Sequence, residues 1–351
     1  MPEYANIVVV QTAFLGDVIL TLPVVEKLKS MSPAANIDVV AGPRAVELMA
    51  GHPAVRRAIS YEKRGRQSGI SGLLQMIRIL REQRYDAALV PHRSLRSAVL
   101  VAASSIPRRV GFDSSAGAFM FTDRVKYESS DHEVDRNLQL LRPLGFPPGR
   151  KEYPHLYPSK QDRESIGMLL ASNAPDDTQP LIGIAPGTVW NTKRWLRESF
   201  VALIGKILAD GCAVVLIGGR EDGELCADIC SAVSSPGVFS AAGRCTLLQS
   251  AELIRRCRVL VSNDSAPMHL AVAMQTPVVA IFGATVPEFG FAPYGVHDIV
   301  LGTEGLQCRP CSIHGGDRCP IQTFDCMKRI SAGDVYAAIR KVLSQLQGVE
   351  R

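Results

Sequence analysis

Short apolar runs alternate with amphipathic stretches along the first half of the chain. The apolar runs are NIVVVQ (6–11), NIDVVAG (36–42), AVRRAISYE (54–62), YDAALVP (85–91) and RRVGF (108–112). The stretches between them, which have apolar residues at helical spacing, cover 17–31, 44–51, 70–83 and 94–103. Buried strands that alternate with amphipathic helices predict a parallel sheet covered by helices on both faces.

The same alternation begins again after a proline-rich stretch at 143–158 and a predicted helix near 160–172. Strands are predicted at 181–187, 213–219, 259–264 and 277–283, and helices at 198–209, 222–233, 249–256 and 266–274. A terminal amphipathic helix is predicted over 331–348, with Ser331 and Asp334 as its N-terminal capping box.

These patterns predict an α/β fold with two Rossmann-like, doubly wound parallel-sheet domains that face a central cleft. We expect domain boundaries at 1–172 and 173–330. A C-terminal helix over 331–351 is expected to pack back towards the N-terminal domain.

Positive charge is concentrated in the first half of the chain. Residues 1–160 hold 22 Lys and Arg against 15 Asp and Glu, whereas residues 161–351 hold 17 against 19. This excess suits an anionic partner, and a well-solvated surface is the alternative reading. Aromatic residues are not interleaved with the basic ones, so we expect no nucleic-acid partner.

Two further absences in the sequence bear on location. No apolar run is long enough to span a bilayer, and MPEYANIVVVQ has no basic region typical of a signal peptide. We therefore predict a cytoplasmic protein, and leave open a peripheral position on the inner face of the cytoplasmic membrane.

The segment IGIAPGTVWNTKRW combines a strand, a Pro-Gly turn and the side chains of Thr188, Thr192 and Lys193. Exposed amides, hydroxyls and one lysine favour a phosphate site, although the glycine-lysine spacing of a nucleotide-binding P-loop is absent. A lysine on an ordinary surface loop is the alternative.

The segment VSNDSAPMHL places Asp264 and Ser265 at the start of a helix, with Pro267 in its first turn. Helix capping alone would explain both polar residues. A helix start after a strand is also a favourable anion site, and His269 is directed to the same end. Together with FGATVPE (282–288), this predicts a diphosphate ligand such as a nucleotide sugar.

Asp17 is the single charged residue in QTAFLGDVILTLP. It opens the helix after the first strand, where the helix dipole stabilises a carboxylate. It also lies at the carboxyl end of that strand, where ligands bind. A dinucleotide fingerprint is absent, because the segment has one glycine instead of three.

The segments LGDVILTLP, APGT-x4-KRW and NDSAPMHLAVA…TPVVAIFGAT resemble, in order and spacing, those of the lipopolysaccharide heptosyltransferases, glycosyltransferase family nine. The resemblance is closest to the subclass that adds the second heptose. It implies a GT-B fold and an inverting, metal-independent transfer of heptose from ADP-heptose to the Kdo/heptose–lipid A core. It also implies a monomer that requires no cofactor.

The resemblance implies a role for each matching residue. Asp17 would be the general base, and Lys193 with Thr188 would neutralise the departing diphosphate. The residues expected to contact ADP are Asp264, Ser265, Ala266, Met268, His269 and Thr285, with Glu221 or Glu224 at the ribose. Arg93 and Arg96 would bind anionic groups of the acceptor.

Four cysteines follow one another within 19 residues, at Cys308, Cys311, Cys319 and Cys326. A Cys-x2-Cys pair suggests structural zinc, with His314 as a further candidate ligand, but the spacing of the second pair is unusual. Packing or disulfides are the alternatives. Two other functions stay open: another GT-B nucleotide-sugar enzyme such as an epimerase, and a non-catalytic zinc-linked binding protein.

Overall fold

The computed structural model describes residues 4–149, 151–174 and 179–349, and it separates into two compact units. Unit 1 extends to Tyr157 and unit 2 begins at Pro158. Each unit contains one six-stranded parallel sheet with flanking helices, so the predicted α/β fold with two doubly wound sheets is confirmed.

Unit 1 has the strand order β3-β2-β1-β4-β5-β6. Its strands are β1 (Asn6–Val10), β2 (Asn36–Ala41), β3 (Arg57–Ser60), β4 (Ala87–Val90), β5 (Arg108–Phe112) and β6 (Asp123–Val125). Its helices are α1 (Leu15–Ile19), α2 (Leu22–Met31), α3 (Pro43–Val46), α4 (Gly69–Glu82), α5 (Leu95–Ala103) and α6 (Glu133–Gln139).

Unit 2 has the strand order β12-β11-β10-β7-β8-β9. Its strands are β7 (Leu181–Ala185), β8 (Ala213–Leu216), β9 (Val238–Ser240), β10 (Val259–Asn263), β11 (Val278–Phe282) and β12 (Ile299–Gly302). Its helices are α7 (Lys160–Asn173), α8 (Arg197–Ala209), α9 (Gly223–Val233), α10 (Leu247–Arg256), α11 (Ala266–Ala273), α12 (Asp325–Lys328) and α13 (Ala332–Val349).

Central strands of both sheets are buried along their whole length, which is why their sequences read as unbroken Val, Ile and Leu runs. Counted from the first strand of each unit, the order is 3-2-1-4-5-6 in both sheets. The two halves therefore share one topology, although they show no strong sequence repeat.

The strands that the sequence analysis missed are β6, β9 and β12, and each lies at the edge of its sheet. Two of them have three residues and the third is only partly buried. Edge strands need no continuous apolar run, so the pattern that located the central strands is absent from them.

The helix predicted over 17–31 is two helices, because α1 ends at Ile19 and α2 begins at Leu22. Pro23 lies in the first turn of α2, where its missing N–H costs little, whereas it would break a continuous helix. The helix predicted over 44–51 is likewise α3 followed by a short 3-10 turn at Glu47–Met49.

The boundary between the units lies 15 residues before the predicted one at 172/173, because α7 packs against α10 of unit 2. The capping box at the start of α13 is confirmed: Asp334 Oδ2 accepts hydrogen bonds from Ser331 N and Oγ at 3.0 and 2.7 Å. Val335, Ile339 and Val342 of α13 are buried in the core of unit 2. The predicted packing of this helix towards the N-terminal domain stays a prediction.

Among the described residues, no helix has the length and hydrophobicity needed to cross a bilayer.

Candidate active site

The strand order of unit 1 reverses between β1 and β4, which pair side by side. Connections that leave two such strands diverge, and the crevice between them is where doubly wound folds bind ligands. Asp17 lies in the connection after β1, and Arg93 lies in the connection after β4. Two residues predicted for acceptor chemistry therefore follow the two strands at this reversal.

The Asp17 carboxylate is held at the start of α1. It belongs to the third residue of the helix, and its Oδ2 accepts a hydrogen bond from Phe14 N at 3.2 Å. Burial raises the pKa of Asp17 to about 7, and the charge of Glu133 adds to the rise, whereas the Phe14 amide and Arg93 oppose it. A carboxyl group with this pKa is a stronger base at neutral pH than an ordinary aspartate.

Glu133 is a buried acid beside Asp17 that the sequence analysis did not single out. It is 5% exposed, and its Oε2 accepts hydrogen bonds from Arg136 Nη1 at 2.9 Å and from the Tyr127 hydroxyl at 3.0 Å. Burial raises the pKa of Glu133, and the hydrogen bond from Arg136 counteracts the rise. Glu133 begins the seven-residue helix α6, which is too short to show an amphipathic pattern.

Arg93 and Arg96, both predicted to bind the acceptor, differ in the structure. Arg93 is exposed, and its guanidinium carbon lies 4.0 Å from the centre of the Tyr127 ring. Arg96 is half-buried, and its Nη2 donates to the carbonyl oxygens of Gln67 and Gly69 at 3.0 and 2.8 Å. Arg96 therefore joins the start of α5 to the start of α4, and these bonds engage its guanidinium within the protein.

Lys63 and His92 complete the polar groups around the end of β1. The Thr12 hydroxyl lies 3.0 Å from His92 Nδ1 and 3.3 Å from Lys63 Nζ. Burial, together with the nearby charges of Lys63 and Arg93, lowers the pKa of His92 to about 4, so the imidazole is neutral at pH 7. Burial also lowers the pKa of Lys63, which lies close enough to Asp17 for their charges to interact.

In unit 2 the strand order reverses between β7 and β10, and the two motifs APGT-x4-KRW and NDSAPMH follow these strands. Lys193 Nζ lies 2.6 Å from Asp264 Oδ2, and both side chains are largely buried. Thr285, in the connection after β11, donates its hydroxyl to the same oxygen at 2.6 Å. Three of the predicted donor-site residues therefore form one cluster at the carboxyl edge of this sheet.

The interpretation of Asp264 as a helix cap is wrong, because its carboxylate binds Lys193 and Thr285. Ser265 is the N-cap residue of α11, and its hydroxyl donates to the carbonyl of Asn263 at 3.3 Å. Pro267 lies in the first turn, as predicted. Within the described part of the chain, no side chain caps the first amides of α11. An uncapped helix start favours an anion.

Met268 and His269 follow in the same helix. Met268 is fully buried, so its side chain has no surface for the predicted contact with ADP. His269 is 5% exposed, and burial lowers its pKa to about 4, with Asp264 opposing the fall. The imidazole is therefore neutral at pH 7. Ala266 is partly exposed in the first turn.

Asn263 is a second residue that the sequence analysis missed. Its Nδ2 donates to the Pro186 carbonyl at 2.9 Å, and its Oδ1 accepts from Trp195 N at 3.0 Å. Asn263 therefore connects the end of β10 to both ends of the APGT-x4-KRW segment. A polar residue that ends an otherwise apolar strand is the signal that could have identified it.

Thr188 was expected to contact the diphosphate, and Glu221 or Glu224 was expected to contact the ribose. The Thr188 hydroxyl donates to the Trp190 carbonyl at 3.0 Å, so it stabilises its own turn. Glu221 and Glu224 are exposed. Asp222, which was not predicted, places its carboxylate directly against Gly187, where a Cβ atom would clash with it.

Arg309 lies just after the first cysteine of the cluster and binds four backbone carbonyls. Nε donates to Gly283 and Thr285 at 2.7 and 3.2 Å, Nη1 donates to Thr303 at 3.0 Å, and Nη2 donates to Phe282 at 3.2 Å. The arginine thereby fixes the turn that carries Thr285, one of the partners of Asp264.

The segment that carries the cysteines contacts the residues that directly precede Lys193 and Thr285. Cys311 N donates to the Ala284 carbonyl at 2.9 Å, and Gly316 N donates to Thr192 Oγ1 at 2.8 Å. All nine cysteines of the chain are free thiols. In the described ranges, no group of three or more His, Cys, Asp or Glu side chains has a geometry that could hold a metal ion.

Two doubly wound α/β units, each with polar groups at the reversal of its strand order, are typical of the GT-B fold of glycosyltransferases. The family model for glycosyltransferase family 9 (heptosyltransferase) matches residues 73–316, and the chain belongs to this family.

Relatives of known activity agree with this assignment. The chain is 30% identical over 293 residues to lipopolysaccharide heptosyltransferase 2 of Salmonella typhimurium, across 81% of this chain and 84% of the relative. The glycosyl transferase family 9 structure from Veillonella parvula has a TM-score of 0.88 at 26% identity and covers 98% of this chain and 99% of its own. The E. coli ADP-heptose LPS heptosyltransferase II has a TM-score of 0.79 at 26% identity, with 97% and 99% covered.

Proposed function

We propose that this protein transfers heptose from ADP-heptose to the inner core of lipopolysaccharide, with inversion and with Asp17 as the general base. Its membership of family 9 and the activities of the relatives named above support these substrates. The observation that carries the residue-level proposal is the partly buried Asp17 carboxyl, with a pKa of about 7, at the strand reversal of unit 1.

In the proposed reaction, the Asp17 carboxylate takes the proton of an acceptor hydroxyl as that oxygen attacks the anomeric carbon of the heptose. The new C–O bond forms on one face of the sugar while the bond to the diphosphate breaks on the other. A single displacement of this kind inverts the anomeric configuration. ADP departs with the electron pair, and the proton remains on Asp17.

In unit 2, Lys193 and the start of α11 bind the diphosphate. Lys193 is held by Asp264 at 2.6 Å, which fixes the ammonium near the uncapped amides of Ser265 and Ala266. A lysine and a helix N-terminus together stabilise the negative charge that develops on departing ADP. We propose Asp222, which touches Gly187 in the APGT turn, as the acid for the ribose in place of Glu221.

The proposed acceptor is a lipid-linked sugar, so we propose that the protein works at the inner face of the cytoplasmic membrane. We propose separately that it works as a monomer. Arg93 and Lys63 bind the anionic groups of the acceptor, because both carry positive charge close to Asp17. This proposal replaces Arg96 with Lys63 as the second cation, since Arg96 is engaged by the carbonyls of the α4 start.

The experiment incubates the purified protein with ADP-heptose and other nucleotide sugars, with and without truncated core acceptors, and detects products by mass spectrometry. Asp17→Asn is expected to bind ADP-heptose with unchanged affinity and to lose about 10²- to 10⁴-fold in turnover. Glu47→Gln, an exposed carboxyl of unit 1, is the matched control and should turn over normally. Normal turnover by Asp17→Asn would show that another group is the base.

Other outcomes would favour the other functions. Conversion of a nucleotide sugar in the absence of acceptor would indicate an epimerase. Stoichiometric zinc in the purified protein, with no affinity for nucleotides, would indicate a binding protein. Transfer that continues unchanged in EDTA is the expected result, because Lys193 and the α11 start supply the positive charge.

A further inference from the structure

Unit 1 exposes a group of large apolar side chains near the carboxyl ends of its strands, on the same side of the sheet as Asp17. We infer that Ile70, Leu74, Leu95 and Phe119, with the arginines around them, form a docking surface for an anionic phospholipid membrane. This inference rests on the proposed function, because a lipid-linked acceptor gives the protein a reason to bind a membrane.

The exposure of these four side chains is unusual for residues of their type. Ile70 is 76% exposed, Leu74 59%, Leu95 47% and Phe119 73%. Ile70 and Leu74 are four residues apart in α4 and therefore share one face of that helix. Apolar residues exposed singly are ordinary, whereas a group of neighbours marks an interaction site.

A side-chain bond holds the starts of α4 and α5 together. Arg96, in the first turn of α5, donates to the carbonyls of Gln67 and Gly69, which lie three residues and one residue before Ile70. Leu95 is the residue before Arg96. This bond therefore brings Leu95 into the neighbourhood of Ile70 at the surface.

Phe119 reaches the same region through the turn that carries it. The 3-10 turn Ala118–Met120 packs against α5. A Cβ atom on Gly117, just before the turn, would lie 3.4 Å from Leu95 Cδ1. The turn that carries the exposed Phe119 therefore contacts α5 beside Leu95.

The charge around these residues is positive. Residues 60–97 contain eight Lys and Arg and three Asp and Glu. Arg64, Arg66 and Arg78 are exposed beside or within α4. Apolar side chains surrounded by arginines complement a membrane interface, which offers an acyl layer to the former and anionic headgroups to the latter.

The position of the docking surface relates it to the proposed acceptor site. Helices α4 and α5 begin after the carboxyl ends of parallel strands β3 and β4, and α1 with Asp17 begins after the carboxyl end of the neighbouring β1. The surface and the general base therefore lie on the same edge of one sheet. A membrane bound there presents its lipid-linked sugars to Asp17.

The test measures co-sedimentation of the full-length protein with vesicles of phosphatidylcholine, with or without phosphatidylglycerol. We expect binding only to the anionic vesicles, and binding that weakens as salt is raised. Ile70→Ser with Leu74→Ser should lower the partition coefficient at least about tenfold, because two apolar side chains no longer enter the acyl layer. Both residues are exposed, so the fold should tolerate the change.

A matched control is Val296→Ser with Ile321→Ser, which removes two exposed apolar side chains of unit 2 and should leave vesicle binding unchanged. Equal binding of the parent and the Ile70/Leu74 variant, or no preference for anionic vesicles, would overturn the inference. Self-association in the absence of lipid that the same variant abolishes would also overturn it, since the surface would then join two copies of the chain.

Turnover on a water-soluble truncated acceptor separates this inference from the proposed function. The Ile70/Leu74 variant should retain that turnover while its transfer to acceptor embedded in vesicles falls at least about tenfold. Vesicle binding without any transfer would refute the function alone. Transfer without vesicle binding would refute the docking surface alone.

Discussion

Replacing Asp17 by asparagine is expected to stabilise the protein above pH 7 while it lowers turnover by about 10²- to 10⁴-fold. The folded protein disfavours the ionised carboxyl, mainly because the group is buried and because Glu133 lies nearby. An asparagine of the same shape carries no charge to bury. The variant should therefore gain stability through the same property that makes Asp17 a strong base.

The size of the gain follows from the pKa of the carboxyl in the two states. Its ordinary value of 3.8 applies to the unfolded chain, and its value in the folded protein is about 7. At 1.36 kcal/mol per pKa unit this difference corresponds to at most about 4 kcal/mol. Because Asp17 keeps partial contact with solvent, which weakens the effect, we expect about 1 to 3 kcal/mol.

The pH dependence has a definite sign. Between about pH 4 and 7 the folded state binds this proton and the unfolded state does not, so the parent loses stability as pH rises. Asp17→Asn lacks this contribution, and its advantage should grow over the same interval and level off above pH 7. Below pH 4 the advantage should disappear.

Calorimetric thermal unfolding at a series of pH values and constant ionic strength measures the effect. Glu47→Gln is the control, and its difference from the parent should lack this rise. A variant Asp17→Asn that is less stable than the parent at pH 8, or one whose advantage does not change with pH, would refute the raised pKa. The base assignment would then lose its main physical support.

Three further predictions concern the proposed reaction. The rate constant kcat/KM should rise with pH to a plateau above about pH 7. Glu133→Gln should move the rising part of this profile to lower pH, because losing the nearby negative charge lowers the pKa of Asp17. An unchanged profile would show that Glu133 does not influence the pKa of Asp17. Lys193→Met should weaken ADP binding at least about tenfold by calorimetry, since it removes the cation and leaves Asp264 without its ion pair, and unchanged affinity would contradict the donor site. Arg309→Met should raise the KM for the donor more than the KM for the acceptor, because the turn that carries Thr285 loses four hydrogen bonds. Arg309→Lys should recover part of the loss. Equal changes in both KM values would indicate a general loss of structure.

The central strands could be predicted because parallel strands covered on both faces have continuous apolar sequences. Their carboxyl ends then indicate where a ligand is expected to bind, and this is how the sequence predicts Asp17, Lys193 and Asp264 as candidates. The edge strands β6, β9 and β12 could not be found in this way, because they are short or partly exposed.

Residues that act through space were also beyond the sequence. Glu133 lies 116 positions after Asp17 in a helix of seven residues, and only the fold brings its charge near that carboxyl. Arg96 was predicted to bind the acceptor because it is basic and follows a strand, but its guanidinium donates to backbone carbonyls of the protein. Polarity at a strand end identifies candidates, and the hydrogen bonds decide which of them face a ligand.

Both sheets reverse their strand order once, and each reversal has its own set of polar groups. The residues that set the pKa of Asp17 all belong to unit 1, which ends at Tyr157. Lys193, Asp264 and Thr285 all belong to unit 2, which begins at Pro158. In the proposed function, recognition of the acceptor and recognition of the donor are therefore encoded in separate parts of the chain. Under that proposal, substitutions in the first unit would change the acceptor sugar and leave nucleotide binding by the second unit intact. A hybrid of two family members joined near Pro158 should therefore follow its first half in the choice of acceptor.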